Sequence, residues 1–289
     1  MTSPLATGVF GLASATSWGA GDFSGGLATK RAPVYTVAAV SKLASLATML
    51  FFAWLRAEQI PSLHVLAWAG AAGVGGAVGL MALYQALAVG VMGVAAPVSA
   101  IIAAAMPVVF AAFSEGLPTG WQLAGFALAL VAVWFISRPA EAAIAGGSRQ
   151  TRGLRLATLA GIGFGGFYIF ISEARGAAVF WPLAASQFIT LVTILVAVCA
   201  MILAQRRGIF ELPIQVIPMM LLAGLLDAGG NAFFLLAEHA GRLDVAAVLA
   251  SLYPASTVVL ARLILNERVS PTQTVGIVAA LASIPLIAG

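Results

Sequence analysis

Residues 33–55 read PVYTVAAVSKLASLATMLFFAWL, an apolar run broken by one ion, Lys42. A helix needs roughly 20 mostly apolar residues to cross the hydrocarbon core of a bilayer, and this run supplies them. Working outward, the chain divides into ten such stretches, at 5–29, 33–55, 64–88, 93–113, 120–137, 153–172, 180–204, 214–238, 243–263 and 271–288. Only 8% of the 289 residues are charged and 62% are hydrophobic, and the mean hydropathy is +1.05. A soluble domain carries roughly 25% charged residues, so this chain could not cover its surface in water. In lipid the backbone must satisfy its own hydrogen bonds, which leaves helices or a closed barrel. Continuous apolar runs, without alternation, exclude the barrel. The expected fold is an all-α integral membrane protein of about ten transmembrane helices, with no room for a soluble domain.

The first apolar run begins almost at Met1 with no Lys or Arg before it. That suits a retained helix better than a cleaved signal. Cys199 is the only cysteine, which excludes an intrachain disulfide and a cysteine metal cluster. The pI is near 9.7, but the formal net charge is just +4 and the cations lie singly or in pairs at segment ends. These are membrane-flank anchors, and no nucleic-acid partner is expected.

The longest polar stretch, Ser137 to Arg155, holds Arg138, Glu141, Arg149 and Arg152 and falls near the midpoint, with five spans on either side. The two sides align. Leu12-Ala13 matches Leu156-Ala157, Gly19 matches Gly163, Gly21 matches Gly165 and Phe23 matches Phe167. Further on, Gly79 matches Gly230, Gly90 matches Gly241, Val94-Ala95-Ala96 matches Val245-Ala246-Ala247, Gln122 matches Gln273 and Gly125 matches Gly276. Glu115 and Glu267 correspond after a one-residue gap. Residues 1–137 and 153–289 therefore read as a duplicated five-helix unit joined by a loop at 138–152. Five is odd, so the second copy starts on the opposite side of the membrane and the repeats are inverted. Secondary transporters use this design, with the substrate site at the repeat interface near the midplane.

The ordered set of Ser17-Trp18-Gly19, Lys42, Pro107…Glu115 and Pro254…Asn266-Glu267 resembles the EamA-type exporters of the drug/metabolite transporter superfamily. The resemblance spans the whole chain, with one departure: Gly116 follows Glu115 where a basic residue is usual. It implies an inner-membrane exporter of amino acids or related small amphiphiles, with a central cavity between the halves. It also implies cytoplasmic termini. The charge count points the other way. Lys30, Arg31, Arg138, Arg149, Arg152, Arg155, Arg206, Arg207, Arg262 and Arg268 fall on one side, against Arg56, Arg175 and Arg242 on the other. The positive-inside rule makes the richer side cytoplasmic and puts the termini outside. The sequence leaves both orientations open.

Ionisable groups at membrane depth are costly and usually face a cavity or a partner. Asp22, Lys42 and Asp227 are the deep ones. Lys42 is too far from a helix end to snorkel easily; it reads as attracting a substrate carboxylate or pairing with Asp22, or else as a structural ion pair. Asp227 and Asn231 lie one helical turn apart on a shared face, suited to an α-amino group, to a proton, or to an interhelical hydrogen bond. Glu238-His239 reads as a wetted helix end. Trp18, Tyr84, Tyr168 and Tyr253 are candidate pocket walls, with Gln85 and Ser99 as further hydrogen-bonding groups. Pro97, Pro107 and Pro254 break backbone bonds inside apolar segments and are candidate hinges. The Gly75/Gly79 pair and the cluster Gly161, Gly163, Gly165 and Gly166 suit close helix packing.

No HExxH, GxSxG or paired intramembrane aspartates are found, which argues against an intramembrane enzyme. Nothing binds ATP, and no cofactor or metal is expected. The function expected is a secondary transporter exporting small organic solutes, amino acids including aromatic ones foremost, by alternating access; the alternatives are a channel or a lipid scramblase. The partners expected are a small-molecule substrate and membrane lipid, with a monomer sufficing, in a bacterial inner membrane.

Overall fold

The computed structural model describes residues 3–88, 92–137, 148–174, 176, 178–205, 212–266 and 269–288. Among them there is no strand. The helices are α1 (Pro4–Thr29), α2 (Val34–Leu55), α3 (Leu63–Ala88), α4 (Met92–Ser114), α5 (Gly120–Ile136), α6 (Ser148–Glu173), α7 (Phe180–Gln205), α8 (Ile217–Ala240), α9 (Leu243–Ala250), α10 (Tyr253–Leu265) and α11 (Pro271–Ala288). Seven spans are long and apolar enough to cross a membrane, the α9–α10 stretch counting as one, and α5 and α11 are shorter apolar helices. Helix α1 has the length of a span, but its glycines, serines and threonines dilute its hydropathy. This is a multi-pass membrane protein.

Two expectations change in detail. Helix α6 begins at Ser148, inside the stretch read as a loop; residues 138–147 lie outside the described residues. The ninth span is two helices. It breaks at Ser251 and Leu252, and Pro254 falls in the first turn of α10, where its missing N–H would be unpaired anyway. Pro254 thus starts a helix instead of interrupting one. Pro97 and Pro107 do lie inside a helix, α4.

The halves are inverted. Ser14 and Ser17 of α1 donate to the carbonyls of Gly230 and Leu226 in α8, at 2.8 and 2.7 Å. Position rises along α1 as it falls along α8, so the third helix of the second half runs against the first helix of the first half. The packing respects an exchange of halves throughout: α1 on α8 is matched by α6 on α3, α2 on α8 by α7 on α3, and α1 on α9–α10 by α6 on α4. Helices α2 and α7, α5 and α11, and α4 and α9 pair with each other.

Small residues make these crossings. A Cβ on Gly163 would come within 2.7 Å of the Gly75 carbonyl and the Gly79 Cα, so α3 and α6 touch backbone to backbone, as small-residue spacing permits. Gly161 closes on Ile102 and Ser99 of α4, and Gly165 on Met106. Gly73 of α3 lies against the Ser186 carbonyl of α7, and Gly224 of α8 against the Ser41 carbonyl of α2. These equivalent crossings obey the offset that relates Gly79 to Gly230. The last helix of each half also starts alike. Thr119 and Gln122 form a reciprocal capping box, Thr119 N donating to Gln122 Oε1 at 2.9 Å and Gln122 N to Thr119 Oγ1 at 3.3 Å. Ser270 and Gln273 repeat it at 3.0 and 3.2 Å, so two orphan N–H groups are satisfied at each start. Gly116 has φ +91°. That region favours glycine, and Asn266 takes the left-handed turn in the second half.

Candidate functional site

Where α2, α7 and α8 meet, the Lys42 ammonium stands 2.9 Å from Asp227 Oδ1. Asp227 Oδ2 accepts from Ser45 Oγ at 2.8 Å and from Gln187 Nε2 at 2.7 Å. The Gln187 amide also donates to Ser45 Oγ at 3.0 Å. Ser45 and Gln187 are buried, while the Lys42 and Asp227 side chains keep 19% and 23% of their exposure, so the pair is open on one side. A buried charge needs both a counter-ion and hydrogen bonds to offset its desolvation, and Asp227 has both. Asn231, one turn on, donates to the Asp227 carbonyl at 2.6 Å and is buried. The shared face is real, but Asn231 serves the backbone. Asp22, the partner first expected for Lys42, is not the one it takes.

Asp22 lies on the neighbouring strip of α1. Ser14, Ser17 and Gly21 face α8, and Gly11 and Gly19 face α9 and α10. Trp18 and Asp22, one turn apart, occupy the strip between those faces. Asp22 is exposed there, and its carboxylate lies within electrostatic reach of Asp227, Lys42, Tyr168 and Tyr253. A Cβ on Gly26, one turn further, would meet nothing within 4 Å. This part of α1 is therefore left unpacked beside Asp22 and Gly26.

Aromatic rings form one wall. Trp18 lies 5.8 Å from Tyr168 and 5.9 Å from Phe234, with Tyr168 and Phe234 4.8 Å apart. Such separations suit tilted or offset ring pairs. Gly230 leaves space for the indole, since a Cβ there would collide with the Trp18 ring. Phe164 occupies the equivalent place over Gly79, so the structural counterpart of Trp18 is Phe164, while Tyr168 stacks on Trp18 itself. Tyr253 abuts Gly19 through its backbone carbonyl.

The other expected residues scatter. Ser99 is buried at the α4–α6 crossing, its carbonyl against Gly161. Gln85 is exposed on α3. The side chain of Tyr84 lies outside the described residues, as does Glu267. Glu238, expected at a wetted helix end, is buried, with His239 Nε2 3.7 Å from its carboxylate. Sequence reasoning passed over Ser45, Gln187 and Phe234. Gln187 had a signal, an amide in the middle of an apolar segment; Ser45 and Phe234 had none.

One end of the bundle, where α1 begins and α2 ends, is tied across the halves. The Glu58 carboxylate accepts from the backbone N–H groups of Val179, Phe180 and Trp181 at 2.9, 2.9 and 3.2 Å, and Trp181 Nε1 donates to the Glu58 carbonyl at 3.1 Å. A carboxylate at a helix N-terminus also meets the favourable end of the helix dipole. Arg242 Nη2 donates to Asp244 Oδ2 at 2.6 Å and to the Gly116 carbonyl at 2.7 Å. The hydrogen bonds it donates to Asp244 push the guanidinium pKa above its ordinary value; burial opposes this, and the charges of Asp244 and Glu115 add to it. Ser3 N donates to the Ala240 carbonyl at 2.9 Å.

Residues 151–289, just under half of the chain, match the model of the EamA-like transporter family. One solved crystal structure superposes with a TM-score of 0.78 over 97% of this chain and 95% of the other, at 14% sequence identity; that likeness concerns the fold. No curated protein matches the chain.

Proposed function

We propose that the whole chain is an EamA-type secondary transporter, built from inverted units at 1–137 and 153–289 joined by 138–152. It exports small organic solutes, amino acids including aromatic ones foremost, by alternating access. The observation that carries this reading is the meeting of Lys42 and Asp227, one from each half, beside the ring wall of Trp18, Tyr168 and Phe234. A zwitterion matches this arrangement: its carboxylate is drawn to Lys42, its ammonium to Asp22 or Asp227, and its side chain to the rings. Two inverted halves can close at either end with nearly equivalent contacts. The ties at Glu58 and Arg242 correspond to closure at one end, with the space beside Asp22 and Gly26 toward the other.

The membrane is a bacterial inner membrane, and the charge count makes the open end cytoplasmic, so this conformation is the one that loads solute from within. Aromatic amino acid exporters of this family are the type it most resembles. A monomer suffices, in contact with lipid and with its solute.

Counterflow in proteoliposomes tests the reading. Purified protein should give saturable uptake of labelled phenylalanine or tryptophan, accelerated by the unlabelled amino acid inside the vesicle. Linear flux without trans-stimulation would favour a channel, and no flux across a panel of amino acids would defeat the substrate class.

A further inference from the structure

The crossings that back Ser41 onto Gly224 and Ser186 onto Gly73 are equivalent under the exchange of halves. The residues that follow them, Lys42 of α2 and Gln187 of α7, therefore occupy equivalent places. On the next turn of each helix Ser45 corresponds to Thr190, and across the crossing Asp227 corresponds to Gly76. The neighbours agree: Ser45 Oγ stands 2.8 Å from Asp227 Oδ2, and Thr190 Oγ1 would stand 3.7 Å from a Cβ on Gly76. Lys42 and Gln187 thus approach a single carboxylate from opposite halves, at 2.9 and 2.7 Å. The first half has glycine where a second carboxylate would stand. The site consequently has a fixed polarity, with a cation on the α2 side and a neutral amide on the α7 side.

Gln187 is only 4% exposed. Its Nε2 donates to Asp227 Oδ2 at 2.7 Å and to Ser45 Oγ at 3.0 Å. A carboxylate only accepts, and the Ser45 hydroxyl already donates its proton to Asp227, so both partners require the NH2 end of the amide. That leaves Oε1, which meets no donor among the described residues. Nor is it sealed in, because Thr36 Oγ1 is the one fully enclosed side-chain polar atom without a partner among the described residues. An unfilled acceptor on a buried amide is costly unless something supplies it with a proton donor. Beside it, the Lys42 ammonium gives one of its three donors to Asp227 and keeps 19% of its exposure. Asp227 has both oxygens engaged.

We infer that Gln187 is a solute-binding residue, its Oε1 accepting an N–H of the solute's ammonium while Lys42 takes the carboxylate. Asp227 is then the positioning residue for both: one oxygen holds the Lys42 ammonium, the other holds the Gln187 amide, and neither needs to touch the solute. This rests on the transporter reading and supplies what that reading lacks, a fixed ligand for the ammonium. It also orients the solute, carboxylate toward α2 and nitrogen toward α7. A compound without the nitrogen leaves Oε1 unfilled, and sites built around a buried polar group reject such analogues strongly.

Calorimetric binding of phenylalanine and of phenylpropionate, the same molecule without its amino group, to the full chain in lipid nanodiscs tests this. The wild type should prefer phenylalanine by about tenfold or more; equal affinities would overturn the proposal. Gln187→Met keeps the length of the side chain but removes the acceptor, and the preference should fall to near unity. If Asp227 were the ammonium's ligand, freeing its Oδ2 in this variant would keep or sharpen the preference, and that result overturns the proposal. A purely structural role for Gln187 would weaken both compounds alike and leave the ratio intact, which overturns it as well. Gln187→Glu retains an acceptor at the same reach whether or not it is protonated, so it should keep the preference. Where Gln187→Met does not fold, Gln187→Glu decides, and a preference lost there counts against Oε1. Phenylalanine binding with an unchanged ratio in Gln187→Met leaves the transporter reading standing. Binding of neither compound by the wild type defeats the amino acid reading itself, and the role of Gln187 with it.

Discussion

Lys42 Nζ stands 2.9 Å from Asp227 Oδ1, although 185 residues separate them along the chain and each comes from a different half. Breaking a buried pair by removing one partner costs about 3–5 kcal/mol. Here the cost should be smaller, because the side chains remain 19% and 23% exposed. Lys42→Ala and Asp227→Asn should each abolish solute transport and lower the thermal midpoint. The double variant should be more stable than the sum of the two losses predicts, since neither charge is then left alone. Additive losses in thermal unfolding would mean that the two groups do not couple.

Gly230 lies under the indole of Trp18 with no room for a methyl group, so the ring and the glycine act as one feature. Trp18→Ala should shift preference from aromatic toward aliphatic amino acids, measured as competition against phenylalanine flux. Gly230→Ala should shift it the same way by pushing the ring out of place. In the combined variant the alanine at 230 meets no ring, so it should behave like Trp18→Ala alone. A further loss in the combined variant would place the effect of Gly230 elsewhere.

The contrast between these two features explains how far the sequence could be read. Span number, inversion and glycine packing were legible because lipid imposes a length on each helix and close crossings demand small residues. Even the capping boxes left a trace in the match of Gln122 with Gln273. The deep ions were legible too, because charge is scarce at that depth. Their partners were not. Whether Lys42 met Asp22 or Asp227 depends on how α1 and α8 are rotated, and an Ala- and Gly-rich helix shows little periodicity to fix rotation. Ser45 and Phe234 look like ordinary span residues until α2, α7 and α8 are brought together. The break before Pro254 was also hidden, because a proline reads alike inside a helix and in its first turn.

The Glu58 carboxylate holds three backbone N–H groups at the start of α7. Loss of a helix cap costs about 0.5–2 kcal/mol, and this cap also joins the two halves. Glu58→Gln replaces an anionic two-oxygen acceptor by one oxygen and a competing donor. That should weaken closure at this end more than it weakens the fold. In a Val179→Cys background, Glu58→Gln should raise the rate of labelling by a membrane-impermeant maleimide several-fold, with only a small change in thermal midpoint. Unchanged labelling would show that the contact seals nothing.

Asp244 is completely buried in the first turn of α9, and Arg242, two residues earlier, supplies its ion pair while reaching the carbonyls of Glu115 and Gly116. One guanidinium therefore serves both a carboxylate and the α4–α5 turn, a task that needs its planar fork of donors. Arg242→Ala should be strongly destabilising, by about 3–5 kcal/mol, because it strands a buried charge. Arg242→Lys should recover only part of the loss, since an ammonium cannot span Asp244 and Gly116 together. Adding Asp244→Asn to Arg242→Ala should recover more than the lysine does, because it removes the stranded charge itself. Thermal unfolding of the four proteins in one detergent ranks them. If the lysine variant matched the wild type, the fork geometry would be irrelevant and Arg242 would act here as a simple point charge.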